Sequence, residues 1–289
     1  MINSGKQFRH RLLISFTAIV LVCTAPLTAA ASHGEVVEDV SILVNGTQVE
    51  LEDPVRMLEG RLFLPIAQIA SLFGATVGWD GEKEAATIKT AAGDTIMLRD
   101  GVPTVYVNET RYILDQAPFL DNGKMHVPIR YVANLLQASA LWNDEQRIAE
   151  ITATESVDEV IAASFTEAEP YTEEDFMLLA KLTQVEAGYE SYEGQLAVAN
   201  VILNRVKSSK FPDTIRDVIY SGKQFPPAHN GLLDKAEPNE SVLRAVQDAL
   251  DGKNNVEDAV YFHNPKVDGG SYWKKLKAVV TIGNHRFLK

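Results

Sequence analysis

Two rhythms of apolar residues divide the chain. In the first half, stretches such as VPTVYVNETRYIL (102–114) alternate apolar and polar positions, as paired strands with one buried face require. From about residue 172 the period lengthens. Leu179, Leu182 and Glu186 stand at i, i+3 and i+7 and share one face of a helix. Thr172 is the expected cap of that helix, which runs to about Ala187 and stops at Gly188. A second helix is predicted from Tyr192 to Lys207 with Ser191 as its cap. A third lies within FPDTIRDVIYSG (211–222), capped by Asp213, and a fourth within NESVLRAVQDALDG (239–252), started by Asn239 and closed by Gly252. YFHNP (261–265) and VVTIGNHRF (279–287) suit a small strand pair.

The alternating half repeats itself at a gapless offset of 63. LFLPIAQIASLFGATVGWD (62–80) aligns with MHVPIRYVANLLQASALWN (125–143), Asn45 with Asn108, and Gly60 with Gly123. A constant offset of this kind marks an internal duplication. Each copy reads as strand, turn, a short helix opened by Pro65 or Pro128, then strands around a tryptophan. Gly74 is replaced by Gln137 in the second copy, so a different turn is expected there. Residues 154–170 are acidic and rich in small residues. They read as a linker with one weak helical turn in VDEVIAA. The predicted class is α+β: a duplicated αβ domain over 39–153, the acidic linker over 154–170, and a mainly α domain over 171–289.

The first 31 residues change the picture of location. A basic start, the apolar run LLISFTAIVLVCTA and Ala29-Ala30-Ala31 form a secretory signal peptide, with an apolar core too short to span a bilayer. The expected product is secreted or wall-associated, with no stable membrane span after cleavage. The only cysteine, Cys23, lies in that segment. Disulfides, thiol nucleophiles and thiolate metal sites are therefore excluded from the mature chain. Removing residues 1–31, which hold Lys6, Arg9, Arg11 and no acid, takes the formal net charge from −12 to −15. Such a chain is a poor nucleic-acid binder. Bases gather instead at the C-terminal end, where Lys274, Lys275 and Lys277 stand close together as a solvated face or a contact for anionic polymer.

Glu186 is the chemically unusual position. A carboxyl on an apolar face near a helix C-terminus is pushed toward its neutral form by burial and by the helix dipole. A neutral carboxyl near pH 6–7 is what a general acid needs to protonate a glycosidic oxygen; a buried, hydrogen-bonded structural Glu is the other reading. Glu193, in the first turn of the next helix, has the opposite setting and a stabilised charge.

Two resemblances extend these readings. The paired N-G/E-T, G-R/K-x-x-x-P-I and W-D/N pattern of residues 39–153 resembles the copper amine oxidase N-terminal-like stalk module, a non-catalytic spacer or adhesion unit of secreted bacterial proteins. Its one histidine, His126, builds no metal site by itself. From Glu174 to Phe287 the chain resembles the SleB/CwlJ family of spore-cortex-lytic, peptidoglycan-degrading cell-wall hydrolases. VEAGYESYEGQLAVANVILNRV, FPDTIRDVIYSGKQFPP, ALDGKNNVEDAVYFHNP and IGNHRF carry the likeness in family order. The family usually reads A-E-A-R-G-E-P-Y-E-G-Q where this chain has V-E-A-G-Y-E-S-Y-E-G-Q, so the loop after the acid differs.

The second resemblance implies a lysozyme-like fold and a catalytic acid/base at Glu186. It implies peptidoglycan glycan strands as substrate, no cofactor and no metal, with spore cortex as one possible wall. A lytic transglycosylase manages with one carboxyl, since the muramic C6 hydroxyl attacks its own C1. Ordinary hydrolysis would need a second carboxylate, for which Glu193 or Glu190 are the candidates. Sugar-binding groups are expected at Glu193, Tyr192, Gln195, Gln224, Phe225, Tyr261, His263 and Asn264, with Trp273 at a groove edge. Asn204 and Arg205 are expected to hold a loop carbonyl or a carboxylate, and His285 to be structural. A zinc amidase is disfavoured because His229, His263 and His285 are widely spaced with no HExxH, and a serine enzyme because no G-x-S-x-G occurs. A catalytically inactive wall-binding protein is the non-enzyme alternative. The stalk adds other wall components as possible partners.

Overall fold

The duplication seen at offset 63 is carried into the backbone element by element. The computed structural model describes residues 34–81, 83–154, 166–167, 171–222 and 224–289. The expected signal peptide and the weak helical turn of the linker lie outside these residues. In the first copy, strands β2 (Ser41–Val44), β3 (Thr47–Val49), β4 (Val55–Leu58) and β5 (Arg61–Pro65) precede helix α1 (Ile66–Leu72), β6 (Thr76–Asp80) and β7 (Ala85–Lys89). The second copy has β9 (Thr104–Val107), β10 (Thr110–Ile113), β11 (Phe119–Asp121), β12 (Lys124–Pro128), α2 (Ile129–Leu135), β13 (Ala138–Asn143) and β14 (Ile148–Ala153). Pro65 and Pro128 stand at the N-caps of the two short helices, where a missing N–H costs nothing.

The copies are interleaved rather than side by side. β5 and β12 pair antiparallel with Leu64 opposite Val127, two residues 63 apart. They form the centre of a five-stranded sheet ordered β1 (Glu35–Val37), β4, β5, β12, β11. The β2–β3 hairpin of the first copy joins the β13–β14 hairpin of the second in a four-stranded sheet, through a parallel β14–β2 pair. The β9–β10 hairpin joins β6–β7 through the intervening β8 (Thr95–Arg99), and β15 (Thr166–Glu167) adds to its edge. One core lies between these layers, with Leu64, Ile66, Ile69, Ile88, Val127, Val132 and Ile151 wholly buried. Neither copy could bury its apolar face alone.

The turn after α2 departs from expectation. Gln137 adopts the same left-handed backbone as Gly74, at φ 57° against 69°. The turn is therefore retained, and the Gln137 amide donates to Asp94.

The second domain is mainly helical: α3 (Glu173–Ala187), α4 (Tyr192–Lys207), α5 (Ile215–Tyr220), α6 (Leu232–Lys235) and α7 (Glu240–Leu250). Thr172 caps α3 through the Asp175 N–H at 3.0 Å, and Asn239 caps α7 through the Val242 N–H at 3.0 Å. Two caps differ from expectation. Ser191 holds the N-cap position of α4 without a side-chain bond, and α5 is capped by Thr214, whose hydroxyl accepts from the Asp217 N–H, rather than by Asp213. α4 is buried along most of its length and runs through the middle of the domain. The predicted strand pair is a three-stranded sheet. β16 (Tyr261–His263) pairs with β18 (His285–Leu288), which turns back at Gly283-Asn284 onto β17 (Ala278–Ile282). Gly283 sits at φ 57°, and a Cβ there would lie 2.0 Å from the Glu190 carboxylate. No helix among the described residues is long and apolar enough to cross a membrane.

Candidate active site

The α3 helix delivers Glu186 to its last turn. Its upstream neighbours Leu179 and Leu182 point the same way into the core, while Glu186 emerges half-buried at the wall of an open cleft of about 810 Å³. β16 contributes Tyr261, Phe262 and His263, followed by Asn264; the loop after α5 contributes Gln224, Phe225 and Pro226; β18 contributes His285. Burial raises the Glu186 carboxyl above the ordinary Glu range. Among the described residues no group hydrogen-bonds it.

Residues 264–273 fold over one side of this cleft. Asn264 turns the chain, its carbonyl accepting from the Val267 and Asp268 N–H groups. His263 stacks on Trp273 with ring centres 4.5 Å apart, and its Nδ1 lies 2.8 Å from the Asp268 carbonyl. The Trp273 indole N–H donates to the Asp268 carboxylate at 2.7 Å, which holds that acid below the usual range. Tyr261 and Tyr272 pack edge to face beside it. The result is an aromatic wall with two carboxyl groups in one cleft, one raised and one lowered.

Arg205 forms the floor. Its Nε donates to the Val260 carbonyl at 2.7 Å, and its guanidinium lies 5.1 Å from the Phe211 and Phe225 ring centres. Burial lowers it to about 10. Asn204 donates to the carbonyls of Glu257 and Ala259. Both side chains thus hold loop carbonyls, one of the two roles expected of them.

Of the predicted sugar-binding residues, Gln224, Phe225, Tyr261, His263 and Asn264 line the cleft with Glu186. Three do not. The Tyr192 hydroxyl donates to Asp248 at 2.5 Å on the far side of α4. Gln195 is buried, bonded to the Glu190 carbonyl and to the Ser241 hydroxyl. Glu193 accepts from Asn255 at 2.9 Å. The reason is helical geometry: the first turn of α4 faces α7 and the 251–256 loop, not the cleft. Glu190 is likewise bound, by the Asn284 amide at 2.9 Å, which lowers its pKa. Asp268, Val267 and Tyr272 were missed; their place depends on how an irregular loop folds, and only the Asp-Gly-Gly turn signal at 268–270 marked that loop. His285, expected to be structural, lines the cleft while packing edge-on to Phe262, and burial lowers its pKa.

The one histidine of the stalk is already committed. Both ring nitrogens of the buried His126 lie 3.0 Å from backbone carbonyls, those of Lys124 and Pro54, so neither is available to a metal. Among the described residues no cluster of three or more His, Cys, Asp or Glu side chains could hold an ion.

Comparison with known proteins finds matches in both halves. A model described as Cell Wall Hydrolase matches residues 189–288, and one described as Copper amine oxidase N-terminal domain matches residues 43–151. A spore cortex-lytic enzyme of Oceanobacillus iheyensis is 39% identical over 120 residues, covering 41% of this chain and 43% of the relative. One of Bacillus subtilis is 36% identical over 119 residues, covering 41% and 39%. The chain thus spans less than half the length of these curated relatives. The solved catalytic domain of the germination-specific lytic transglycosylase SleB from Bacillus anthracis is 34% identical, with 42% of this chain and 99% of that one covered and a TM-score of 0.40. The chain therefore carries a stretch that matches the Cell Wall Hydrolase model behind one that matches the Copper amine oxidase N-terminal domain model.

Proposed function

We infer that this protein cuts the MurNAc–GlcNAc backbone of peptidoglycan as a lytic transglycosylase, with Glu186 as its single acid/base. The observation that carries this reading is the isolation of Glu186. It is raised by burial and unbonded among the described residues, while Glu190 and Glu193 are tied to Asn284 and Asn255. Protonated Glu186 gives its proton to the glycosidic oxygen, and the C1–O bond breaks as positive charge develops at C1. The C6 hydroxyl of the same muramic residue bonds to C1, and its proton passes to the Glu186 carboxylate. The acid is regenerated, no water is consumed, and the product ends in a 1,6-anhydro sugar. Gln224, Asn264 and the aromatic wall of Tyr261, Tyr272 and Trp273 suit hydrogen bonding and stacking to sugar rings.

A second reading is favoured by one observation. Asp268 lines the same cleft as a carboxylate held low by the Trp273 indole N–H, and its position beside Glu186 in that lining supports it as the base toward water in ordinary hydrolysis. The names of the curated relatives support spore cortex as the wall attacked, and the N-terminal segment supports export to the wall. The stalk would meet other wall components there.

Digestion of purified cortex and vegetative sacculi, read by mass spectrometry, tests this reading. Anhydro-muramic ends from the parent and none from Glu186→Gln are expected. Reducing ends abolished by Asp268→Asn would replace transglycosylation with hydrolysis. No cleavage of either wall by the parent would leave a wall-binding protein.

A further inference from the structure

Helix α7 ends in acids where the helix dipole disfavours them. Its last turns carry Asp248 and the C-cap Asp251, with no base in the last turn, at the negative end of the helix dipole. Both acids are buried, Asp251 to 1% exposure. The compensation comes from the other domain. Arg99 pairs with both Asp248 and Asp251, and Arg111 Nε pairs with Asp251 at 3.1 Å. The Tyr106 hydroxyl donates to the same carboxylate at 3.0 Å. Thr104 Oγ1 donates to the Asp251 carbonyl and Arg111 Nη2 to the Leu250 carbonyl, each at 2.7 Å, which satisfies the open end of the helix. In return Lys253 donates to the Asp100 carbonyl at 3.1 Å.

The duplication shows that this face is specialised. Tyr106 and Arg111 are cross-strand partners in the β9–β10 hairpin. At offset 63 the same register pairs Leu43 with Gln48 in the β2–β3 hairpin. The two copies share a backbone but not these side chains: the first copy reaches α7 through the exposed Glu84–Arg244 pair, and the second brings the aromatic donor and the cation to the buried C-terminal end of the helix. The cleft of about 690 Å³ beside the junction is lined by Arg99, Tyr106, Arg244 and Gln247, which are already committed: Arg244 to Glu84, and Gln247 and the others to Asp251.

We propose that the second stalk copy is a dedicated docking unit for the hydrolase domain, with Asp251 as its anchor, so that the two domains move as one rigid body and not as an enzyme on a flexible tether. The acidic linker is then a covalent connection whose length does not set the geometry. Asp248 extends the contact inward, since it also accepts from Tyr192 at the start of α4. The inference is independent of the cleavage chemistry.

The test is a distance measurement on the full chain. Spin labels at Lys89→Cys and Lys235→Cys, in a Cys23→Ala background, report on the stalk and the hydrolase domain. A single narrow distance distribution is expected for this parent. The double variant Tyr106→Leu/Arg111→Gln installs the residues that the first copy already accommodates in the same register, so each domain should keep its fold, checked by circular dichroism. Its distribution should broaden several-fold, whereas Gln48→Ala in the first copy should leave it unchanged. Asp251→Asn, which keeps the side-chain size, should broaden it as well. A broad distribution in the parent would overturn the rigid body. A narrow one in both the double variant and Asp251→Asn would overturn the assigned anchor.

Discussion

Two helices of the second domain end in buried or half-buried carboxyl groups, and they use them in opposite ways. α3 ends with Glu186, which has no hydrogen-bond partner among the described residues and is pushed toward its neutral form by burial. α7 ends with Asp248 and Asp251, which are more deeply buried yet receive Arg99, Arg111, Tyr106, Tyr192 and Gln247. The cost of burying a carboxylate is met by partners at one site and shows as a raised pKa at the other. The first yields an anchor, the second a group ready to donate a proton. The position against the helix dipole is alike; the supply of donors differs.

The largest effect that could break this contrast is on activity. Glu186→Gln should lower the release of glycan fragments by about 100- to 10,000-fold, the range of a general acid, with the fold retained. A variant that keeps near-parent turnover in a sacculus-release assay would remove Glu186 from the chemistry. Next in size is the anchor. Asp251→Ala leaves Arg99 and Arg111 facing an empty site and should cost about 3–5 kcal/mol in denaturant unfolding, the range for breaking a buried ion pair. A loss near zero would mean that the junction is solvated and loosely held.

Proton linkage separates the two sites more finely. The folded chain holds the Glu186 proton to higher pH than the unfolded chain does. Its folded state therefore loses stability as pH rises from the ordinary carboxyl range to the raised value. Glu186→Gln cannot ionise, so it should be more stable than the parent at neutral pH and equal to it below the ordinary carboxyl range, as thermal melts across pH would show. Activity should fall on the alkaline side as the same proton is lost. The smallest effect lies at the helix starts. Thr172→Ala and Asn239→Ala should each cost about 1 kcal/mol in urea unfolding, with the Glu186 cleft unchanged.

Much of the fold was legible because its signals are local. Every strand and helix of the second copy has a counterpart in the first at the offset of 63, and Asn45 and Asn108, aligned at that offset, share a left-handed backbone at φ 50° and 49°. Helix limits in the second domain followed from Thr172, Gly188, Asn239 and Gly252, since capping involves residues three or four apart. Ser191 and Asp213 show the limit of that reasoning: a capping residue type in the right place does not ensure the bond when Thr214 stands next to Asp213.

The site was half legible for the same reason. The i, i+3, i+7 spacing put Glu186 on the apolar face of α3, and burial on one face is a property of the pattern itself. Sequence nearness then misled, because Tyr192, Glu193 and Gln195 adjoin Glu186 along the chain but start a helix whose first turn faces α7. Asp268 and Trp273 reach the cleft from more than eighty residues away, through a loop held by the His263–Trp273 stack. The sequence by itself determined the duplicated strand-rich region, the helical region and the one carboxyl placed against its solvation preference. Only the tertiary structure decided which acids find donors. That choice depends on contacts across domains and loops, such as Arg111 to Asp251 over 140 positions, which no local periodicity encodes.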